Sequence, residues 1–162
     1  MIEQKKEFKL IPKKNPKSLL PNALTIFGVC LGLSSIKFAL DTNYSMAIIA
    51  IGFAAILDSL DGRVARLIKG TSKVGKELDS LTDVISFGVA PGFIMYFWAL
   101  NEIGKFGWMF VLIYTVCCAL RLARFNLTTV EENEAWKINF FEGVPSPAAA
   151  GLVLLPLILS TS

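Results

Sequence analysis

The chain has 162 residues, 54% of them hydrophobic and 18% charged, and a mean hydropathy of +0.58. That is too apolar for a soluble domain, in which about a quarter of residues are charged, and it excludes disorder for most of the chain. There is no histidine, which removes His-based zinc sites, Ser-His-Asp triads and imidazole acid–base chemistry. The net charge of +3 comes mostly from the N-terminus, where six of the twelve lysines precede residue 18. Aromatic residues are not interleaved with those lysines, so no nucleic-acid partner is expected.

In chain order, residues 1–17 form a basic tail, expected to lie on the cytoplasmic membrane surface, and residues 18–162 form the membrane domain. Residues 18–36 carry no charge and suffice, as a helix, to span about 30 Å of hydrocarbon. Lys37 can snorkel from the far end. After a polar turn at 41–44, residues 45–68 continue as a second helix that includes Asp58 and Asp61. A basic turn at 69–77 leads to a third helix at 78–100, with Asp79 and Asp83 in its first turns. A turn at 101–106 precedes a fourth helix at 107–127, which carries Arg121 and Arg124 near its end. A polar loop at 128–142 is followed by an uncharged fifth span at 143–162 containing Pro145, Pro147 and Pro156. Lysine and arginine concentrate in the tail and in the 63–76 region, so those parts are expected on the cytoplasmic side. Cys30, Cys117 and Cys118 lack metal-ligand spacing and read as buried free thiols.

Four of the thirteen acidic residues fall within this apolar pattern: Asp58, Asp61, Asp79 and Asp83. Each costs at least about 2.5 kcal/mol at a bilayer centre on insertion scales. The i, i+3 spacing of the first pair and the i, i+4 spacing of the second put each pair on one helix face. The intervening turn makes the two helices antiparallel neighbours, so the pairs can converge on a cation. Oxygen-only donors suit magnesium or manganese rather than zinc. Solvated loop carboxylates and an ion or proton pathway are the alternatives at this level.

The stretch from Asp58 to Asp83 reads D-S-L-D-G-R-V-A-R, eight residues, G, three residues, D, three residues, D. It matches without departure the signature of the CDP-alcohol phosphotransferases, and the chain resembles that family from about Pro21 to Ala150. The resemblance implies an all-α integral membrane bundle. About five transmembrane helices are expected here, a truncated version of a six-or-more-helix core, incomplete at the C-terminus. It also implies transfer of a phospho-alcohol group from a CDP-linked donor to a hydroxyl, with release of CMP.

By resemblance Asp58, Asp61, Asp79 and Asp83 are ligands of a two-ion Mg2+ or Mn2+ centre, and Asp83 accepts the proton of the attacking hydroxyl. Gly62, Ala65, Arg66, Ser72 and Gly75 resemble the CDP-donor-binding positions. Asn22 and Thr25, in a P-N-x-x-T stretch that opens many family members, join them. Arg121-Leu-Ala-Arg124-Phe-Asn126 and Phe141 to Ala150 resemble stretches of the membrane-bound phosphatidylserine synthases. The expected donor is therefore CDP-diacylglycerol and the expected acceptor L-serine. Arg121 and Arg124 are the acceptor-binding candidates, because a guanidinium matches a carboxylate bidentately. Glycerol 3-phosphate or an inositol compound is the alternative acceptor, and a carboxylate-lined cation transporter the alternative from another class. A homodimer among membrane lipids is expected, multi-pass in the inner (cytoplasmic) membrane, with its active site facing the cytoplasm.

Overall fold

The computed structural model describes residues 19–68, 73–131 and 144–161. Within them the chain is helical and contains no strand. It forms α1 (Leu19–Leu40), α2 (Tyr44–Ile68), α3 (Lys73–Asp83), a π-helical turn (Val84–Val89), α4 (Ala90–Trp98), a 3-10 turn (Leu100–Ile103), α5 (Lys105–Glu131) and α6 (Ser146–Thr161). Because α3, the π turn and α4 follow one another directly, the described residues make five helical rods. Four stretches are long and apolar enough to cross a membrane: Asn22–Leu40, Tyr44–Arg63, Gly75–Trp98 and Lys105–Arg124. The protein is an all-α, multi-pass membrane protein.

Several boundaries differ from those the apolar runs suggest. Residues 37–40 belong to α1, residues 73–77 to α3, and residues 128–131 to α5. Lysine and glutamate are good helix formers, so the hydrogen-bond ladder continues past the apolar stretch until something breaks it. At the other extreme, α6 has only 16 residues, about 24 Å at the α-helical rise. It is shorter than the fifth span expected over 143–162. Of the three cysteines, only Cys118 is buried, while Cys30 and Cys117 are exposed on the helix surface.

The α1–α2 turn shows how local chemistry sets the antiparallel pairing. Asn43 N–H donates to the Phe38 carbonyl at 2.9 Å and Thr42 N–H to that of Ala39 at 3.0 Å, the pattern of a Schellman stop. Thr42 takes the left-handed position usually given to glycine, with φ 59°. Asn43 then caps α2 by accepting from the Met46 N–H at 3.3 Å. Lys37 forms an ion pair with Asp41 on the exposed side of this turn.

Packing relies on small residues, as expected where lipid supplies no hydrophobic drive between helices. Ala47, Ile51 and Ala54 of α2 join Ala39, Phe87, Ala90, Ile94, Ala150, Leu154 and Leu157 in one buried core. α1 makes its largest interface with α2 and also lies along α3, the π turn and α4. A β-carbon at Gly32 would fall 2.6 Å from Ser86 Oγ and 3.0 Å from Ser86 Cα, so glycine is what lets α1 reach the π turn. Ile26, Phe27, Phe53, Phe110, Leu152 and Leu159 point outward, as lipid-facing side chains do.

The two ends of the bundle differ in character. At one end Phe93, Phe97, Tyr96 and Trp108 pack with ring centroids 5.5–6.0 Å apart, Phe93–Phe97 tilted and the other pairs edge to face, an aromatic girdle of the kind found at a membrane interface. The other end gathers the N-terminal part of α1, the C-terminal part of α2, α3, the last turns of α5 and the start of α6. All four signature aspartates belong to this end.

Candidate metal and donor site

Asp58 and Asp61 face inward from the last turns of α2, and Asp79 and Asp83 from α3. Asp58, Asp61 and Asp79 each offer a carboxylate oxygen within 4.8 Å of the others. Asp83, one turn deeper on the same face of α3, lies near enough to Asp58 for the two carboxylates to interact. The structure thus brings together all four carboxylates that the spacing picked out, three in a tight group and the fourth against Asp58. They sit within rods that cross the membrane, so they are neither loop residues nor scattered along an extended path.

The donor chemistry fits a hard divalent cation. Asp61 is almost fully buried, and both Asp61 Oδ1 and Asp83 Oδ1 are buried without a hydrogen-bond partner. A carboxylate oxygen withdrawn from water and left unpaired is strongly unfavourable unless a cation meets it. Every atom on offer is oxygen, which suits Mg2+ or Mn2+.

The nearest supporting contact comes from α1. Thr25 Oγ1 donates to Asp61 Oδ2 at 2.9 Å, which leaves the buried Asp61 Oδ1 as the unpartnered oxygen. Thr25 therefore acts on a carboxylate, a role that sequence reasoning did not give it when it grouped Thr25 with Asn22 as donor-binding. Asn22, half-buried, precedes Thr25 by three residues and shares its helix face. Space beside Gly62 is open, since a β-carbon there would meet no atom within 4 Å. Gly75 is half-buried near the start of α3. Ala65 and Arg66 lie on α2, but their side chains are outside the described residues, as is Ser72 altogether.

The two arginines part company. Arg121 is half-buried and donates from Nη1 to Ser146 Oγ at 3.1 Å, while its Nε is buried without a hydrogen-bond partner. Arg124 is exposed. The structure thus sets Arg121 against the first residue of α6. Asn126, in the same α5 segment, donates from Nδ2 to Ser80 Oγ at 2.8 Å and so ties α5 to the residue next to Asp79. The Arg-Leu-Ala-Arg-Phe-Asn run was the only sequence signal for that contact, and it did not reveal the partner.

The structure thus defines an all-α membrane bundle with a carboxylate cluster able to hold a cation at one end, beside the open space at Gly62. The sequence model of CDP-alcohol phosphatidyltransferases matches residues 18–162, and the chain belongs to that family. Among its relatives are proteins named CDP-diacylglycerol–serine O-phosphatidyltransferase from Mycobacterium leprae, Helicobacter pylori and Bacillus subtilis. The M. leprae protein is 46% identical over 144 residues, covering 86% of this chain and 48% of the relative. The H. pylori protein is 45% identical over 145 residues, covering 90% and 60%. The B. subtilis protein is 36% identical over 138 residues, covering 85% and 74%. The chain thus spans about half the length of its mycobacterial relatives. No solved structure matches it.

Proposed function

We propose that this chain transfers a phosphatidyl group from CDP-diacylglycerol to the hydroxyl of L-serine, giving phosphatidylserine and CMP. The observation that carries the reading is the group of Asp58, Asp61 and Asp79 oxygens within 4.8 Å, with Asp83 beside Asp58. The names of the relatives support serine as the acceptor.

In this reading Asp58, Asp61, Asp79 and Asp83 hold Mg2+ or Mn2+, two ions in all. When bound, the ions neutralise the donor's pyrophosphate and stabilise the departing CMP. Gly62 and Gly75 leave room for the cytidine to approach the backbones of α2 and α3, and Asn22, Ala65, Arg66 and Ser72 complete the donor surface. Arg121 turns its unpartnered Nε toward the serine carboxylate while Ser146 fixes the other side of its fork, and Arg124 adds positive charge nearby. The serine oxygen forms the new bond to phosphorus as the bond to the CMP oxygen breaks. With no imidazole in the chain, the hydroxyl proton passes to the Asp83 carboxylate. The active site faces the cytoplasm across the inner membrane, residues 18–162 form the catalytic domain behind a basic tail, and the protein works as a homodimer.

The test is an acceptor screen on the purified chain in detergent, with labelled CDP-diacylglycerol and a divalent ion, reading both CMP and lipid product. The expected result is CMP release that requires serine and metal together and yields one serine-containing lipid. Release with glycerol 3-phosphate or inositol but not serine overturns the acceptor assignment. Ion flux through vesicles without CMP release overturns the enzyme reading altogether.

A further inference from the structure

The third membrane rod is interrupted by the π turn at Val84–Val89, which begins immediately after Asp83. Such turns are rare and frequently found at functional sites, and each takes in one residue more than an α-helical turn. The sequence supplies a cause. Pro91 has no N–H, so the Phe87 carbonyl cannot receive the α-helical bond from four residues on. Pro91 is fully buried, so the loss is repaired only by a partner from within the bundle. A side chain on another helix does so: Tyr114 Oη of α5 donates to the Phe87 carbonyl at 2.7 Å. From the opposite side Ser86 Oγ donates to the Gly28 carbonyl of α1 at 3.3 Å. The turn is therefore held from two neighbouring helices.

Its consequence is rotational. One extra residue in a turn rotates the upstream part of the rod by about 100° relative to the downstream part. Gly88, in the turn itself, and Gly92, downstream of it, fix the rod against α5, where β-carbons would lie 3.3 Å from Cys118 Sγ and 3.1 Å from Val111 Cγ1. Upstream are Asp79 and Asp83. Were the turn to close into a regular α-helix, the two aspartates would swing relative to the face that α5 holds.

We infer that Tyr114 is a positioning residue for the cation centre: through the Phe87 carbonyl it holds open the π turn that aims Asp83 and Asp79 at Asp58 and Asp61. This rests on the reading of the four aspartates as a metal centre. Tyr114 does not itself touch the carboxylates; it acts through the backbone on which they ride.

The experiment attacks the turn from both sides in the purified full chain, reading Mn2+ affinity by electron paramagnetic resonance alongside thermal unfolding. Tyr114→Phe removes only the hydroxyl that holds the turn. Pro91→Ala keeps that hydroxyl but restores the N–H that lets the turn close. Each is expected to weaken Mn2+ binding about tenfold, the lower end of what lost ligand support produces. Tyr44→Phe is the matched control, since Tyr44 Oη makes the same kind of bond, to the Phe97 carbonyl at 3.1 Å, at the other end of the bundle. It is expected to lower the melting temperature and leave Mn2+ affinity unchanged. An affinity within about twofold of the parent in either Tyr114→Phe or Pro91→Ala overturns the inference, because a lost support shifts it further. An equal loss in Tyr44→Phe overturns it too, by tracing the effect to general loosening. A parent that binds no Mn2+ removes the metal-centre reading itself, a result distinct from a parent that binds it and variants that do not differ.

Discussion

Asp83 combines a partly unpartnered carboxylate with a position beside, rather than within, the tight group of three. In the proposed reading, that position suits Asp83 to accept a proton as well as to help hold the cation. Asp83→Asn keeps the size and one carbonyl oxygen but cannot accept a proton. It is expected to lose on the order of 10²–10⁴-fold in kcat while retaining metal-dependent protection by CDP-diacylglycerol against thermal unfolding. Turnover near the parent rate would reassign the base. Thr25→Val asks a different question at the same scale. It preserves shape but removes the donor to Asp61 Oδ2, so Mn2+ affinity is expected to fall about tenfold or more. An unchanged affinity would mean that Asp61 is oriented by its helix alone. At Arg121, lysine keeps the charge but cannot bond Ser146 and a carboxylate as one planar fork. Arg121→Lys should raise the serine KM with donor affinity preserved, and an unmoved KM would take Arg121 out of the acceptor site.

Between helices, glycine decides how closely α1 approaches the third rod. Gly32→Ala would drive a β-carbon against Ser86 backbone as well as its side chain, and the backbone there belongs to the π turn. Overpacking of this kind costs about 1–3 kcal/mol, so a clear fall in melting temperature is expected. Gly52, also on a long apolar helix, has nothing within 4 Å of an added β-carbon. Gly52→Ala should be neutral or mildly stabilising, since alanine is the better helix former by about 1 kcal/mol. Paired unfolding curves check this, and equal destabilisation of the two variants would show that α1 is not in such close contact with the π turn.

For the whole molecule, helices long enough to cross a membrane put the two ends of the bundle at opposite faces of it. The aromatic end carries the α1–α2 turn and the start of α5, and the carboxylate end carries Thr25, the aspartates and Arg121. Positive charge upstream of α1 argues for the carboxylate end inside. Single cysteines introduced in place of Lys105 and Lys14, in a cysteine-free background, test it in intact cells. Position 105 should react with an impermeant thiol reagent and position 14 should not. The reverse pattern would put the site on the face where no CDP-linked donor is made.

Much of this was legible from the sequence. Asp58, Asp61, Asp79 and Asp83 announced themselves because charge is expensive in an apolar helix, and because three- and four-residue spacings translate directly into shared helix faces. The number of rods and their alternation came from apolar run length, a property of each segment against the bilayer. Helix ends were less legible, since they depend on caps such as Asn43 and on how far polar residues prolong a ladder beyond the lipid. Contacts between rods were not legible at all. Nothing local to Tyr114 marks it as the donor that Pro91 leaves Phe87 in need of, and nothing local to Thr25 marks it as a donor to Asp61. Nor does the spacing of Arg121 and Arg124 say that one meets Ser146 while the other stays exposed. Spacing along a chain fixes which side chains share a face of one helix. Which faces meet, and at what rotation, is decided only when Gly32, Gly88 and Gly92 let the rods close on one another.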